Sequence, residues 1–179
     1  EIERSPAVRA AAISATFIFV HRAALELDID PEEFDVIEPR MGKPGMGNAI
    51  PILQITDHLI NGAGFCEQLA KIEATGSPMV ARLIESILND EDKYPLKDFL
   101  SIESGQEHRK RCDQSCYRCL QRYGNQMYHG LLDWRLGLAF LNMLHDSKFT
   151  CGLDGKFTGP ALEDWPHLAK TYAEEMLRF

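Results

Sequence analysis

The segment HRKRCDQSCYRCL, residues 108–120, places one imidazole and three thiols close together: His108, Cys112, Cys116 and Cys119. Nothing else in the chain constrains its folding as strongly, because thiols that bind one shared ion force their segment to close on itself. A structural zinc takes four ligands in a tetrahedral site, and thiolate sulfur and imidazole nitrogen are its usual donors. Cys116 and Cys119 have the Cys-x-x-Cys spacing that lets two sulfurs converge on one ion, and Cys112 lies close enough to join them. His108 is the nearest fourth ligand. If residues 108–112 are helical, it shares a face with Cys112. His129 and Cys66 are alternatives that only the fold could bring in.

Other readings compete with metal. A thioredoxin-like redox pair wants a strand before the motif and a helix starting at it, but the preceding residues are charged and not strand-like. A cysteine nucleophile is a second alternative, although three near-adjacent thiols exceed what one nucleophile needs. Chance clustering is a third. His108, Lys110 and Asp113 superficially resemble a phospholipase D signature, which would need an acid where Ser115 stands. Structural metal is the reading the residues favour. Cys66 and Cys151 sit among apolar residues or glycines and read as small buried hydrophobes.

Five cysteines, an odd number, make a poor disulfide framework in a chain of 179 residues, so a reduced, cytoplasmic protein is expected. This length suffices for one domain with its own core. The composition, 45% apolar and 26% charged, is that of an ordinary globular protein. A net charge of −8 argues against wholesale coating of nucleic acid. The longest apolar run, Ala15 to Val20, falls short of the roughly 18 residues a membrane helix needs, so no membrane partner is expected. The chain begins at Glu1 without a methionine, and we expect it to be a piece of a longer protein.

Hydrophobic periodicity predicts a helix over 7–27, with Ile13, Phe17, Val20, Ala24 and Leu27 on one stripe. Asp30, Pro31 and Glu33 predict a short helical turn with a capping box. Residues 38–48 read as loop from their Gly and Pro content, and 49–57 as a strand. Helices are predicted over 64–74, from Ser77-Pro78 through about Asn89, and from an Asp133 N-cap through Leu144. Residues 89–98 read as a solvated loop, 149–160 as irregular and 161–178 as an amphipathic helix. The expected fold is a single α+β domain, mainly helical, with few strands and a Cys-rich zinc knuckle.

Two further features carry possible chemistry. Gly62-Ala63-Gly64 lies between a strand and a helix, where backbone amides can bind phosphate. A dinucleotide fingerprint would need another glycine at Glu67, so a structural turn is the better reading. Around the cysteines, Arg109, Lys110, Arg111, Arg118 and Arg122 face a single acid, Asp113, with Tyr117, Tyr123 and Tyr128 interleaved. Positive charge beside aromatic rings suits the phosphate backbone and base stacking. A solvated face around a metal knuckle explains the same residues, and cations also favour thiolate ligands.

CYRCLQRYGN followed by LLDWRLGLAFL resembles the MrfA-type zinc-binding (MZB) domain. That family occurs at the C-terminus of many DEAD/DEAH-box helicases and in the DrmB protein of the DISARM phage-defence system. ITDHLINGAGF resembles the family's strand ending in Asp before Gly-Gly-Ala-Gly, with Asn61 in place of the first glycine. Cys112, Cys116, Cys119, Asn125, Leu132 and Asp133 fit its later motifs, with Trp134 intervening before Arg135. AALELDIDPEEF resembles its opening, so the likeness spans roughly residues 5–145. The helicase branch usually supplies a fourth cysteine just before Gly-Asn, where this chain has Tyr123. The wording of the 116–141 block looks closer to the DISARM-type branch.

The resemblance implies a non-catalytic zinc module of a helicase-like or defence protein, meeting DNA or a helicase partner. The chain has no Gly-Lys-Ser/Thr phosphate loop, so any ATPase would lie elsewhere. A protein–protein adaptor without nucleic-acid contact, and a thiol-dependent enzyme, are the alternative functions.

Overall fold

The computed structural model describes residues 5–43, 50–59 and 61–178. Helix α1 (Pro6–Leu27) starts where the sequence signals a start: Ser5 is the N-cap, its hydroxyl accepting from the Val8 N–H, and Pro6 opens the first turn. It ends at Asp28, whose left-handed φ of 55° turns the chain and whose N–H donates to the Ala24 carbonyl. Ala12, Ile13, Ala15, Ile18 and Ala23 are all at most 1% exposed, so α1 is the central helix of the core. By length and composition α1 could also cross a membrane, with a mean hydropathy of 1.4 over an 18-residue window. This corrects the count of uninterrupted apolar residues, because His21 and Arg22 break the run without making the helix polar. In the structure 61% of that window is buried within the protein.

Helix α5 (Trp134–His145) packs closely on α1. Asp133 caps it as expected, its carboxylate accepting from the Arg135 and Leu136 N–H groups, while the Asp133 N–H donates to Ser14 Oγ at 2.8 Å. Gly137 makes the close approach possible. A Cβ there would lie 2.7 Å from Ile18 Cδ1, 2.9 Å from Ser14 Cβ and 3.0 Å from the Ala15 nitrogen. In an open helix, Gly→Ala stabilises by about 1 kcal/mol. Here we expect the opposite sign: Gly137→Ala should cost ~1–3 kcal/mol by overpacking, read as a lower urea midpoint with unchanged m-value.

After a turn at Pro31–Glu33, strands β1 (Phe34–Gly42) and β2 (Ile50–Asp57) pair antiparallel, Phe34 opposite Asp57 and Gly42 opposite Ile50. The Asp30 carboxylate accepts from the Glu32 N–H, so the turn is capped without the expected Glu33 box. The loop expected over 38–48 is corrected as far as Gly42, which is strand; residues 44–49 lie outside the described residues. Pro39 explains the misreading. It cannot donate to the ladder, and the register shifts between Ile37 and Arg40 around it.

The predicted helix over 64–74 shortens to α2 (Phe65–Ala70). Asp57 occupies its N-terminus: the carboxylate accepts from Gly64, Phe65 and Cys66 N–H groups at 2.7, 3.2 and 2.8 Å. The glycine turn is thus structural, with Gly64 in the left-handed region at φ 81°. Helix α3 (Met79–Asn89) buries Leu83 and Ile87 and has Pro78, not Ser77, at its N-cap. The solvated loop expected over 89–98 is corrected in its second half. Tyr94, Leu96 and Phe99 are buried core residues, the last two on the single turn α4 (Leu96–Phe99). Strands β3 (Ile102–Glu103) and β4 (Gln106–Glu107) form a minimal hairpin leading into the cysteine segment. The C-terminal helix α6 (Trp165–Met176) is shorter than the predicted 161–178 and buries no residue, whereas Ala161 and Leu162, just before it, join the core.

The fold is therefore α+β as expected, helices outweighing two small antiparallel sheets. One apolar cluster joins α1, α4, α5 and the cysteine segment; a second joins α1, β1, α2 and α3.

Candidate metal centre

His108, Cys112, Cys116 and Cys119 come together, each offering a ligand atom within 4.8 Å of the others. The hairpin β3–β4 delivers His108 at the start of a helical turn, His108–Lys110. The Cys112 N–H donates to the His108 carbonyl, putting the two side chains on one face. Cys116 and Cys119 close a second turn through the Cys119 N–H to the Cys116 carbonyl at 3.1 Å. The cluster is enclosed: Cys119 is fully buried, Cys112 and His108 are 5% and 6% exposed, and Cys116 is partly buried.

The spacing fits a tetrahedral ion. With Zn–S of about 2.3 Å and Zn–N of about 2.05 Å, a tetrahedron sets its sulfurs roughly 3.8 Å apart and sulfur and nitrogen roughly 3.6 Å apart. Here Cys119 Sγ is 3.7 Å from both Cys112 Sγ and Cys116 Sγ, and His108 Nε2 is 3.4 Å from Cys116 Sγ. A disulfide needs about 2.05 Å, and all five cysteines are free. The residues can hold a metal ion.

Electrostatics prepare the sulfurs. Cys119 is held well below the usual thiol range, first by hydrogen bonding from Cys112 and then by His108, against its own burial. Cys112 is pushed up, first by that same contact with Cys119 and then by burial. His108 is pushed up to about 9, chiefly by the Cys119 sulfur. Without an ion the cluster therefore favours one thiolate paired with a protonated His108, and a bound metal would displace that proton, because sulfur ligates as thiolate and imidazole as the neutral ring. The His108 Nδ1–H donates to the Phe99 carbonyl at 3.0 Å, which fixes the tautomer and turns Nε2 toward the sulfurs.

Of the alternative fourth ligands, neither joins the cluster. His129 Nε2 sits 3.0 Å from both the Arg122 carbonyl and Asn125 Oδ1. Cys66 lies against Ile55 beneath β2, where burial pushes its thiol up to about 12. Cys66 and Cys151 are half-buried rather than fully enclosed.

The outer support comes largely from residues the sequence did not single out for this role. Trp134 Nε1 and Arg135 Nη1 both donate to the Cys112 carbonyl, at 3.4 and 3.1 Å. Arg135 also donates to the Asp113 and Arg109 carbonyls and pairs with Asp164 at 2.8 Å. Its guanidinium lies 4.1 Å over the Trp134 ring and is 2% exposed. The signal for Trp134 and Arg135 was their place directly after the Asp133 cap. Asp164 had none. Asn125 braces the far side, its amide donating to the Leu120 carbonyl and its oxygen accepting from the Arg122 N–H.

The five basic residues divide. Arg109 turns inward, 14% exposed and ion-paired with Glu163 and Asp164. Arg118 pairs with Glu103, and Lys110 with Glu107, both at the surface. Arg111 is exposed. Arg122 Nη1 donates to the Tyr117 and Gln121 carbonyls. Tyr117 and Tyr123 are exposed, 62% and 82%, whereas Tyr128 packs on Phe17 and donates to Glu38.

No protein-family model, curated protein or solved structure matches the chain.

Proposed function

We propose that the chain is a non-catalytic zinc module of the MrfA-type zinc-binding kind, belonging to a helicase-like or defence-associated protein. The observation that carries the zinc assignment is the near-tetrahedral spacing of three sulfurs and one oriented imidazole in an enclosed site. The family context rests on the resemblance of residues 5–145. Zinc contributes folding energy and holds the 108–125 segment in shape. Lys110, Arg111, Arg118 and Arg122, with Tyr117 and Tyr123, then offer a small surface to DNA or to a helicase partner, in cytoplasm.

Elemental analysis tests the centre. About one zinc per chain is expected, lost in Cys116→Ser, weakened in His108→Ala and kept in His129→Ala. Absence of metal from freshly reduced protein would sink the assignment and return the thiols to redox or catalytic readings.

A protein–protein adaptor is the second reading, favoured by the ion pairs that engage Arg109, Lys110 and Arg118. The two readings separate by salt: phosphate contacts release counterions, so DNA affinity falls steeply with ionic strength, while an adaptor shows no such binding.

A further inference from the structure

A cleft of about 450 Å³ opens beside the metal centre, between α1, the Pro31–Glu33 turn, β1 and the Tyr123–Tyr128 turn. That volume lies within the range of small-ligand sites. Its walls are largely aromatic: Phe17, Phe34, Tyr94 and Tyr128 line it, and Tyr123 and Met127 stand at the rim, 82% and 81% exposed. Several polar groups share the same space, the Asp35–His58 pair and Asn125 among them. Arg122 and Glu32 both line the cleft, and among the described residues neither has an ion-pair partner, while Arg122 Nη1 donates to the Tyr117 and Gln121 carbonyls. Glu32 reaches the opposite wall, where its Oε1 would lie 3.1 Å from a Cβ on Gly124. His21 Nε2 lies 3.4 Å from Arg122 Nη2, and burial together with Arg122 holds the ring down to about 4, so it is neutral. Tyr94 packs against His21 with centroids 4.3 Å apart and the rings tilted by 57°, and its buried hydroxyl has no hydrogen-bond partner among the described residues.

Aromatic faces ask for a planar ring. A carboxylate without an ion-pair partner, in the same cleft as a guanidinium whose Nη1 is held by two backbone carbonyls and which keeps its Nε and Nη2 side to offer, asks for a ring that donates on one side and accepts on the other. An aliphatic or purely anionic ligand would leave Glu32 opposed. Guanine meets both demands: its O6 and N7 accept from an arginine, and its N1–H and N2–H₂ donate to a carboxylate. We propose that this cleft binds a single unstacked nucleobase, guanine before the others, with Arg122 on its O6/N7 edge and Glu32 on its N1/N2 edge. This goes beyond the zinc module and its basic surface. It needs no phosphate contact from Lys110, Arg111 or Arg118.

The base could come from a single strand or from a free nucleotide, and the test has an arm for each. Calorimetric titration of the protein with dGMP, dAMP, dCMP and dTMP is expected to show saturable dGMP binding. It should be at least about tenfold tighter than dTMP, the scale of one bidentate base contact. Glu32 sits on an exposed turn, so Glu32→Gln should fold normally and abolish that preference. Equal binding of all four, a preference unchanged in Glu32→Gln, or no saturable binding overturns the proposal. In the second arm, G-containing and oligo-dT single strands compete against bound dGMP. Competition by the G-containing strand alone identifies the strand as the source, and no competition identifies the free nucleotide. Strands that bind with steep salt dependence while dGMP does not bind defeat the cleft and leave the nucleic-acid surface standing. The reverse defeats the surface and leaves the cleft.

Discussion

Chelation of the metal is expected to unfold one half of the molecule before the other. Structural zinc contributes on the order of 10 kcal/mol or more to the folding of small zinc domains. Here Cys112 and Cys119 are themselves core residues, packed in one cluster with Leu120, Leu132 and Trp134. The second cluster, built on Val20, Ala23, Phe34, Leu69 and Leu83, contains none of the ligands. A strong chelator, or Cys119→Ser, should therefore remove hydrogen-exchange protection across 108–134. Protection should persist around Ala23 and Leu83. The apparent stability of the whole chain should fall by several kcal/mol, because burying the freed thiols and His108 without an ion is unfavourable. An unchanged melting temperature with and without chelator would show that the cluster folds by packing alone.

The second large effect belongs to Arg135. A cation 2% exposed survives only because every donor finds an acceptor. It holds three backbone carbonyls of the 109–113 segment and one carboxylate. Arg135→Leu keeps much of the volume, strands the Asp113 and Arg109 carbonyls and leaves Asp164 with Arg109 alone. We expect a loss of about 3–5 kcal/mol and weaker zinc retention in chelator competition. The exposed Lys110–Glu107 pair is the contrast: Lys110→Ala should change stability by less than about 1 kcal/mol. If Arg135→Leu retains zinc and stability like Lys110→Ala, the clamp from α5 is not what shapes the knuckle.

Local signals and long-range consequences separated cleanly between sequence and structure. α1, β2, α3 and α5 were legible because hydrophobic periodicity is local, and Asp133 marks the start of α5 with its own side chain, whereas the Ser5–Pro6 start of α1 was found only in the structure. The metal cluster was legible for the same reason, its ligands lying within a dozen residues of each other. β1 was hidden because Pro39 and Gly42 carry loop composition, and its strand character comes from its partner across the hairpin. The core role of Tyr94 and Phe99 was hidden because charged neighbours surround them and their burial comes from Trp134 and His21. Arg109 looked like surface charge until Asp164, over fifty residues later, neutralised it. The cleft was invisible for the same reason: Glu32 and Arg122 come to line one cleft only through the fold.

The close contact of α1 with α5 has a consequence for synthesis. α1 is a long apolar helix, and the partner that covers it at Gly137 is made roughly 100 residues later. At about 5–20 residues per second on the ribosome, the helix waits on the order of 5–20 s for that partner. During that interval a segment apolar enough for a bilayer is uncovered. Its correct fate then depends on how long chaperones and early contacts with the β1–β2 hairpin keep it occupied. A slower stretch of translation between α1 and α5 would be a hazard for this protein even if its sequence never changed.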